Sequence, residues 1–196
     1  MPYHFFPMIA RMRYISRWGL MRNALPENIQ EHSHMVAVLA HALGVIRRDI
    51  FHQPCDVNAL ATAALYHDAS EILTGDLPTP IKYHNAEIMS AYHAVEDLAV
   101  QKLLGMLPPE LRETYADVLA EDKDGDIYPL VKAADKLSAY IKCIEERKAG
   151  NNEFLSAEAQ TRAALEASPL PEVQYFLEHF IPAFERDLDE LGAIGQ

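Results

Sequence analysis

Apolar residues along this chain recur at helical spacing and almost nowhere alternate. Between about residues 30 and 47, His32, Met35, Val36, Leu39, Leu43 and Ile46 fall on one stripe at i, i+3, i+4 and i+7. A second stripe, over about 56–67, carries Leu60, Ala61, Ala64 and Leu65. The same periodicity predicts helices over about 3–16, 84–105, 109–120, 127–148, 153–167 and 172–191. Stop signals agree with several of these ends: Gly105 precedes Pro108-Pro109, and Gly150-Asn151 follows Arg147-Lys148. No sustained period-2 run occurs, and Asp124-Gly125, set among charges, reads as a loop rather than a hairpin. Regular helix and central strand are both barred from Gly75-Asp76-Leu77-Pro78-Thr79-Pro80, because each proline fixes φ and lacks an N–H. With no internal repeat and no linker, the pattern predicts an all-α, single-domain bundle over residues 1–196.

Composition narrows the partners. The 196 residues carry 29 acidic and 17 basic side chains, a formal net charge of −12, which argues against a nucleic-acid surface. Cys55 and Cys143 are the two cysteines, too few for a disulfide scaffold, so a reducing compartment is expected. Arg11 and Arg13 interrupt the apolar N-terminus where a signal peptide needs an unbroken run. The best apolar stretch, Val36–Ile46, is broken by His41 and is about half the ~20 residues a bilayer requires. The expectation is a soluble cytoplasmic protein without membrane or nucleic-acid partners.

Nine histidines in an acidic helical chain raise the question of metal. His4, His52, His84, His93 and His179 show no suggestive acidic partner or lie among polar residues, and read as surface or satisfied side chains. His34 and His41 share a helix face turned roughly 160–180° from the His32 stripe at ~100° per residue, so they should meet solvent. His32 lies on the apolar stripe itself and should point inward. Taken alone, such a histidine is more often a hydrogen-bonded core residue than a ligand.

His67-Asp68 ends an apolar helix, at the rim of the core, and an imidazole beside a carboxylate suits a divalent transition ion. Glu71 follows Asp68 by three residues and would share its face if the helix continues; the bland alternative makes Asp68 an N-cap and Glu71 its capping-box partner. Asp135 borders the stripe of Leu130, Ala134, Leu137 and Ile141, where pairing with Lys132 is the bland account. The combination is what counts: three inward-leaning helices each carry a metal-competent group.

This order of His, then His-Asp, then Asp resembles the HD-domain metal-dependent phosphohydrolases. Arg17-Trp18, Glu31-His32-Ser33, Tyr66-His67-Asp68-Ala69-Ser70-Glu71, Gly75-Asp76-Leu77-Pro78-Thr79-Pro80 and Ala133-Ala134-Asp135, in that order, are similar to the bacterial 5′-deoxynucleotidases of that superfamily. The resemblance spans nearly the whole chain, including Gly150-Asn151-Asn152-Glu153-Phe154, and centres on a core of about 28–145. It implies hydrolysis of deoxyribonucleoside 5′-monophosphates to deoxynucleoside and phosphate, in a homodimer. It further implies one divalent ion per subunit on His32, His67, Asp68 and Asp135: cobalt or manganese first, with copper, zinc or iron as alternatives. Glu71 would be the catalytic carboxylate, Arg17 would orient the phosphate, and Trp18 would crowd the sugar's 2′ position. Asp76, Leu77, Pro78 and Thr79 would hold the rest of the nucleotide.

The residues support that chemistry on their own terms. Two histidines and two aspartates leave a near-neutral site around a +2 ion, with positions open for water and a phosphate oxygen. An arginine offers the phosphate a bidentate fork that lysine cannot imitate as well. The alternative readings are a solvated Arg17, Trp18 as a core or interface filler, and Asp76 as the cap of its own turn. Among relatives, the (p)ppGpp hydrolases carry Glu-Asp where this chain has Glu71-Ile72, and no second ligand set of the two-metal enzymes is present. A catalytically silent nucleotide-binding protein and a plain helical scaffold are the remaining readings, both disfavoured by the complete ligand set. An acidic protein gains nothing from long-range steering of an anion, so attraction must be local, from the ion and Arg17, with Lys82 a weaker contributor.

Overall fold

Asn28 starts the helix that organises the molecule. Its side-chain oxygen accepts the Gln30 and Glu31 backbone N–H groups at 3.0 and 3.1 Å, while Glu31 reaches back to the Asn28 N–H, a complete capping box. The computed structural model describes residues 2–82, 84–120 and 125–192, with backbone only at 79 and 80. In chain order its helices are α1 (Phe5–Ile9), α2 (Ile29–Val45), α3 (Val57–Tyr66), α4 (Glu71–Thr74), α5 (Thr79–Lys82) and α6 (Ala86–Gly105). There follow α7 (Pro109–Leu119), α8 (Tyr128–Lys148), α9 (Leu155–Glu166), α10 (Pro171–His179), α11 (Ile181–Phe184) and α12 (Leu188–Leu191). Short 3-10 turns cover Ala10–Tyr14 and Asn152–Phe154, and a π turn extends α2 over Ile46–Ile50. Among the described residues the sole extended pairing is one bridge between Ser16 and Asn28. No helix there is long and apolar enough to cross a membrane.

The all-α expectation holds, and the core is the predicted stripes facing one another. Val36, Leu39, Ala40 and Leu43 of α2 meet Leu60 and Ala64 of α3 and Leu130, Ala134, Leu137, Ile141 and Ile144 of α8. Each large side chain so buried is worth about 1.5–3 kcal/mol. A second cluster, Phe5, Ala69, Leu103, Leu104, Leu107 and Leu119, packs the N-terminus against α6 and α7.

Several sequence expectations are corrected. Met35 and Leu65, placed on inward stripes, are 36% and 42% exposed, because α2 and α3 bury narrower faces than the stripes suggest. The helix expected over 172–191 is broken into α10, α11 and α12. Pro182 cannot donate a helical bond, and Asp187 starts a fresh turn with its own capping box. The helix expected over 3–16 is only α1 followed by a 3-10 turn. Pro80 does not exclude helix: α5 starts at Thr79, and near a helix start the missing N–H costs nothing. Asp124 lies outside the described residues.

The stacking of α2, α3 and α8 also decides where the chemistry sits. His32 lies in the first turn of α2, His67 directly follows α3, and Asp135 lies two turns into α8. The three positions meet at one end of the core, beside the segment joining α1 to α2.

Candidate active site

His67 follows the last residue of α3, and its Nδ1 lies 2.7 Å from the Ala64 carbonyl. A carbonyl only accepts, so Nδ1 carries a proton, and Nε2 is the atom that has a lone pair to offer when the ring is neutral. That Nε2 is buried without a hydrogen-bond partner, and so is Nε2 of His32, whose Nδ1 lies 3.1 Å from Ser138 Oγ. Two buried imidazole nitrogens left unpartnered call for a ligand, since an unmet buried polar atom costs about 1–3 kcal/mol.

Carboxylates face both nitrogens. His32 Nε2 is 3.1 Å from Asp135 Oδ1 and 3.6 Å from Asp68 Oδ2, and His67 Nε2 is 3.1 Å from Asp68 Oδ2. One ligand atom from each of His32, His67 and Asp135 falls within 4.8 Å of the others; Asp68, the fourth expected ligand, lies outside that group although its Oδ2 faces both imidazoles. Burial alone would raise both aspartates, but the two histidines, and Arg17 for Asp68, hold them well below the usual carboxylate range. Both are therefore ionised at neutral pH. Two nitrogen and two oxygen donors, with orphaned lone pairs at the centre, fit a divalent transition ion. The Ser138 and Ala64 contacts are of the kind that would orient the two imidazoles toward an ion.

The bland alternatives fail on geometry. Asp68 does not cap α4, which begins after Ser70 with no side-chain cap. Lys132 Nζ lies 5.5 Å above the Tyr128 ring, and Asp135 turns to His32. His34 and His41 are exposed, as expected. His93, read as lacking an acidic partner, instead meets Glu96 at 2.9 Å.

Glu71 is 6% exposed and its Oε2 has no hydrogen-bond partner. Burial, then the charges of Asp68 and Asp76, push its carboxyl up to about 9, against the smaller pull of Arg17 and Lys82. It lines a cleft of about 750 Å³ together with Arg17, Trp18, Asp68, Asp76, Leu77, Pro78 and Asp135. Of the expected nucleotide contacts, Thr79 has a side chain outside the described residues. Asp76 is shifted upward by burial, with Arg17 opposing. Lys82 also faces the cleft, its Nζ held 2.8 Å from Glu96 and 4.5 Å over the Tyr92 ring.

Arg17 and Trp18 are neither a solvated arginine nor a core filler. Arg17 Nη1 reaches Asp68 Oδ2 at 3.4 Å and its Nε reaches Glu27 Oε2 at 3.1 Å. Trp18 adopts φ +57, a left-handed conformation unusual for a bulky residue, and its ring meets Phe154 edge-on at 5.2 Å. Sequence reading missed Glu27, Ser138 and the Lys142–Glu146 pair. Glu27 precedes the capping Asn28, and nothing in its local sequence marks it.

The sequence matches the family described as YfbR-like 5′-deoxynucleotidase over residues 4–184. The chain belongs to that family. Among curated relatives of the YfbR-like family, the 5′-deoxynucleotidase YfbR of Shigella boydii is 50% identical over 190 residues, 96% of either chain. That of Escherichia coli K12 is 49% identical over the same share. Of solved structures, an HD-domain phosphohydrolase from Listeria innocua superposes with TM-score 0.81 at 25% identity, covering 92% of this chain and 88% of that one. An HD phosphohydrolase of cyanophage S-2L, solved with dA and one catalytic Zn2+ ion, gives TM-score 0.58 at 26% identity over 94% and 96%. The HD-domain fold read from the ordered motifs is therefore the fold of this YfbR-like chain.

Proposed function

We propose that this chain, a 5′-deoxynucleotidase, releases phosphate from deoxyribonucleoside 5′-monophosphates in the cleft between Arg17 and Asp135. The observation that carries the assignment of roles is the pair of unpartnered, buried Nε2 atoms of His32 and His67 facing Asp68 and Asp135. These four residues hold one divalent ion, cobalt or manganese by preference. The chemistry such an ion supplies is polarisation of the phosphoryl group and a lower pKa for water.

The protein's own groups do the rest. Arg17 presents its Nη groups to the phosphate while Glu27 holds Nε. Glu71, whose ionised form a divalent ion beside it would favour, takes the proton of the attacking water on its buried, unpartnered Oε2; the P–O5′ bond breaks and the leaving O5′ takes up a proton from solvent. Trp18 walls the 2′ position, so that a ribose hydroxyl meets either a clash or burial without a partner. Asp76, Leu77, Pro78 and Thr79 hold the nucleoside side of the substrate. Helices within about 28–145 frame the ion site, in one domain with the Arg17-Trp18 segment that precedes them. Free Cys55 and Cys143 support a reducing, cytoplasmic setting. The homodimer rests on the family resemblance alone.

One panel tests this reading: phosphate release from dAMP, AMP and 3′-dAMP, each with cobalt, manganese, magnesium, zinc or EDTA. Release from dAMP with a divalent ion, abolished by EDTA and weaker for AMP, is expected. AMP turned over as fast as dAMP refutes the role of Trp18, and silence with every metal refutes the catalytic roles.

A further inference from the structure

Arg17 and Trp18 are neighbours in sequence, yet one side chain elsewhere governs both. A single oxygen, Oε2 of Glu27, accepts Arg17 Nε and Trp18 Nε1, each at 3.1 Å. The Glu27 side chain is 16% exposed and Arg17's 13%, so these contacts are shielded from competing water. Backbone pairing sets the register that makes this reach possible. Arg17 N–H donates to the Glu27 carbonyl at 3.0 Å and Ile29 N–H to the Ile15 carbonyl at 3.0 Å, around the Ser16–Asn28 bridge. Ten residues apart in sequence, Arg17 and Glu27 are thus clamped side by side.

The clamp has something to hold. Trp18 sits at φ +57, where a bulky side chain is strained, and such conformations persist only when surroundings over-determine them. Phe154 supports one edge of the indole, and the Glu27 bond fixes its nitrogen. A hydrogen bond at the indole nitrogen and an edge contact with Phe154 together restrain the ring more than either does alone.

We infer that Glu27 is a positioning residue that sets the phosphate-gripping arginine and the sugar-facing tryptophan as one unit, so that deoxyribose selectivity depends on a carboxylate that does not touch substrate. This rests on the roles proposed above for Arg17 and Trp18. Losing Glu27 should loosen both functions together, whereas Trp18 substitutions relax only the discrimination.

The test compares wild type, Glu27→Ala and Glu27→Gln in the metal-loaded enzyme, measuring kcat and KM for dAMP and AMP. Because Trp18 is the only tryptophan, its fluorescence reports on the indole directly, with or without metal and substrate. Hydrogen bonds to a charged partner lie in a range where one lost bond changes an equilibrium about tenfold. Glu27→Ala should therefore raise KM for dAMP and lower the dAMP-over-AMP preference about tenfold, with a shifted Trp18 emission. Glu27→Gln keeps an acceptor for Trp18 but no charge for Arg17. It should retain preference and emission while KM for dAMP rises about threefold. Preference in Glu27→Ala within about twofold of wild type, or unchanged Trp18 emission, overturns the inference. Should Glu27→Ala fail to fold, an unchanged KM in Glu27→Gln overturns it. A wild type that does not prefer dAMP to AMP refutes the parent reading, and this inference with it.

Discussion

The loop that follows Trp18 is held from beneath by a buried charge pair, and breaking that pair has a magnitude the structure supplies. Glu146 of α8 is fully buried. Its carboxylate accepts the Ala24 and Leu25 N–H groups at 2.8 and 3.0 Å, Asn151 Nδ2 at 2.7 Å, and Lys142 Nζ. Lys142, 4% exposed, also donates to the Leu25 carbonyl. Substituting Glu146→Ala leaves a buried ammonium, the Ala24 and Leu25 N–H groups and Asn151 Nδ2 without this acceptor. Removing one member of a buried pair costs about 3–5 kcal/mol. At roughly 2–4 °C per kcal/mol for a domain of this size, Tm should fall by about 6–20 °C.

The double variant Lys142→Met/Glu146→Leu removes both charges and leaves only neutral groups, the loop N–H groups, Asn151 Nδ2 and the Leu25 carbonyl, without these partners. It should lose less than the single variant, about 1–3 kcal/mol, despite the second change. Calorimetry or urea unfolding of the three proteins at one pH and fixed metal content gives the comparison. A double variant as destabilised as the single one would refute the reasoning, because uncompensated charge would then not be the source. The pair also has an acid signature. Burial acts to raise Glu146, but bonds from Lys142, Asn151 and the loop hold it down to about 2, below its ordinary 4.5. Its stabilisation is therefore complete above about 4.5 and fades as pH falls toward 2, and Glu146→Ala should flatten that acid limb.

Glu71→Gln should keep bound metal, read by elemental analysis, while turnover drops by about 10²–10⁴-fold; loss of metal would make Glu71 a ligand. In metal-free protein the Glu71 carboxyl, pushed up to about 9 from 4.5, binds a proton the unfolded chain has released. Stability should thus decline as pH rises from about 4.5 to 9, and Glu71→Gln should remove that slope in Tm-versus-pH scans. Stripping the ion should also abolish dAMP binding in calorimetric titration, since Asp68 and Asp135, both held ionised, then repel the phosphate near Arg17.

Much of this protein is local information. The stripes of α2, α3 and α8, the stops at Gly105 and Gly150, and the inward setting of His32 all follow from 3.6-residue periodicity, which nearby residues dictate. The ordered motifs around His32, His67-Asp68 and Asp135 were legible for the same reason: each lies on or directly after a helix whose buried face is written in its own apolar spacing. The broken helix over 172–191 was less legible, because periodicity continues through Pro182 even though its missing N–H does not.

What the tertiary structure alone decided is which long-range partners complete those groups. Nothing near His32 in sequence announces Ser138, and nothing near Trp18 announces Phe154 or the Lys142–Glu146 pair under the following loop. Nothing near Glu27 in sequence announces Arg17 and Trp18, which the Ser16–Asn28 bridge brings beside it. A net charge of −12 said only that long-range attraction would not bring in an anion. The stacking of α2, α3 and α8 showed where attraction is built instead, since burial removes water from a few opposed charges and makes them outweigh the acidic surface.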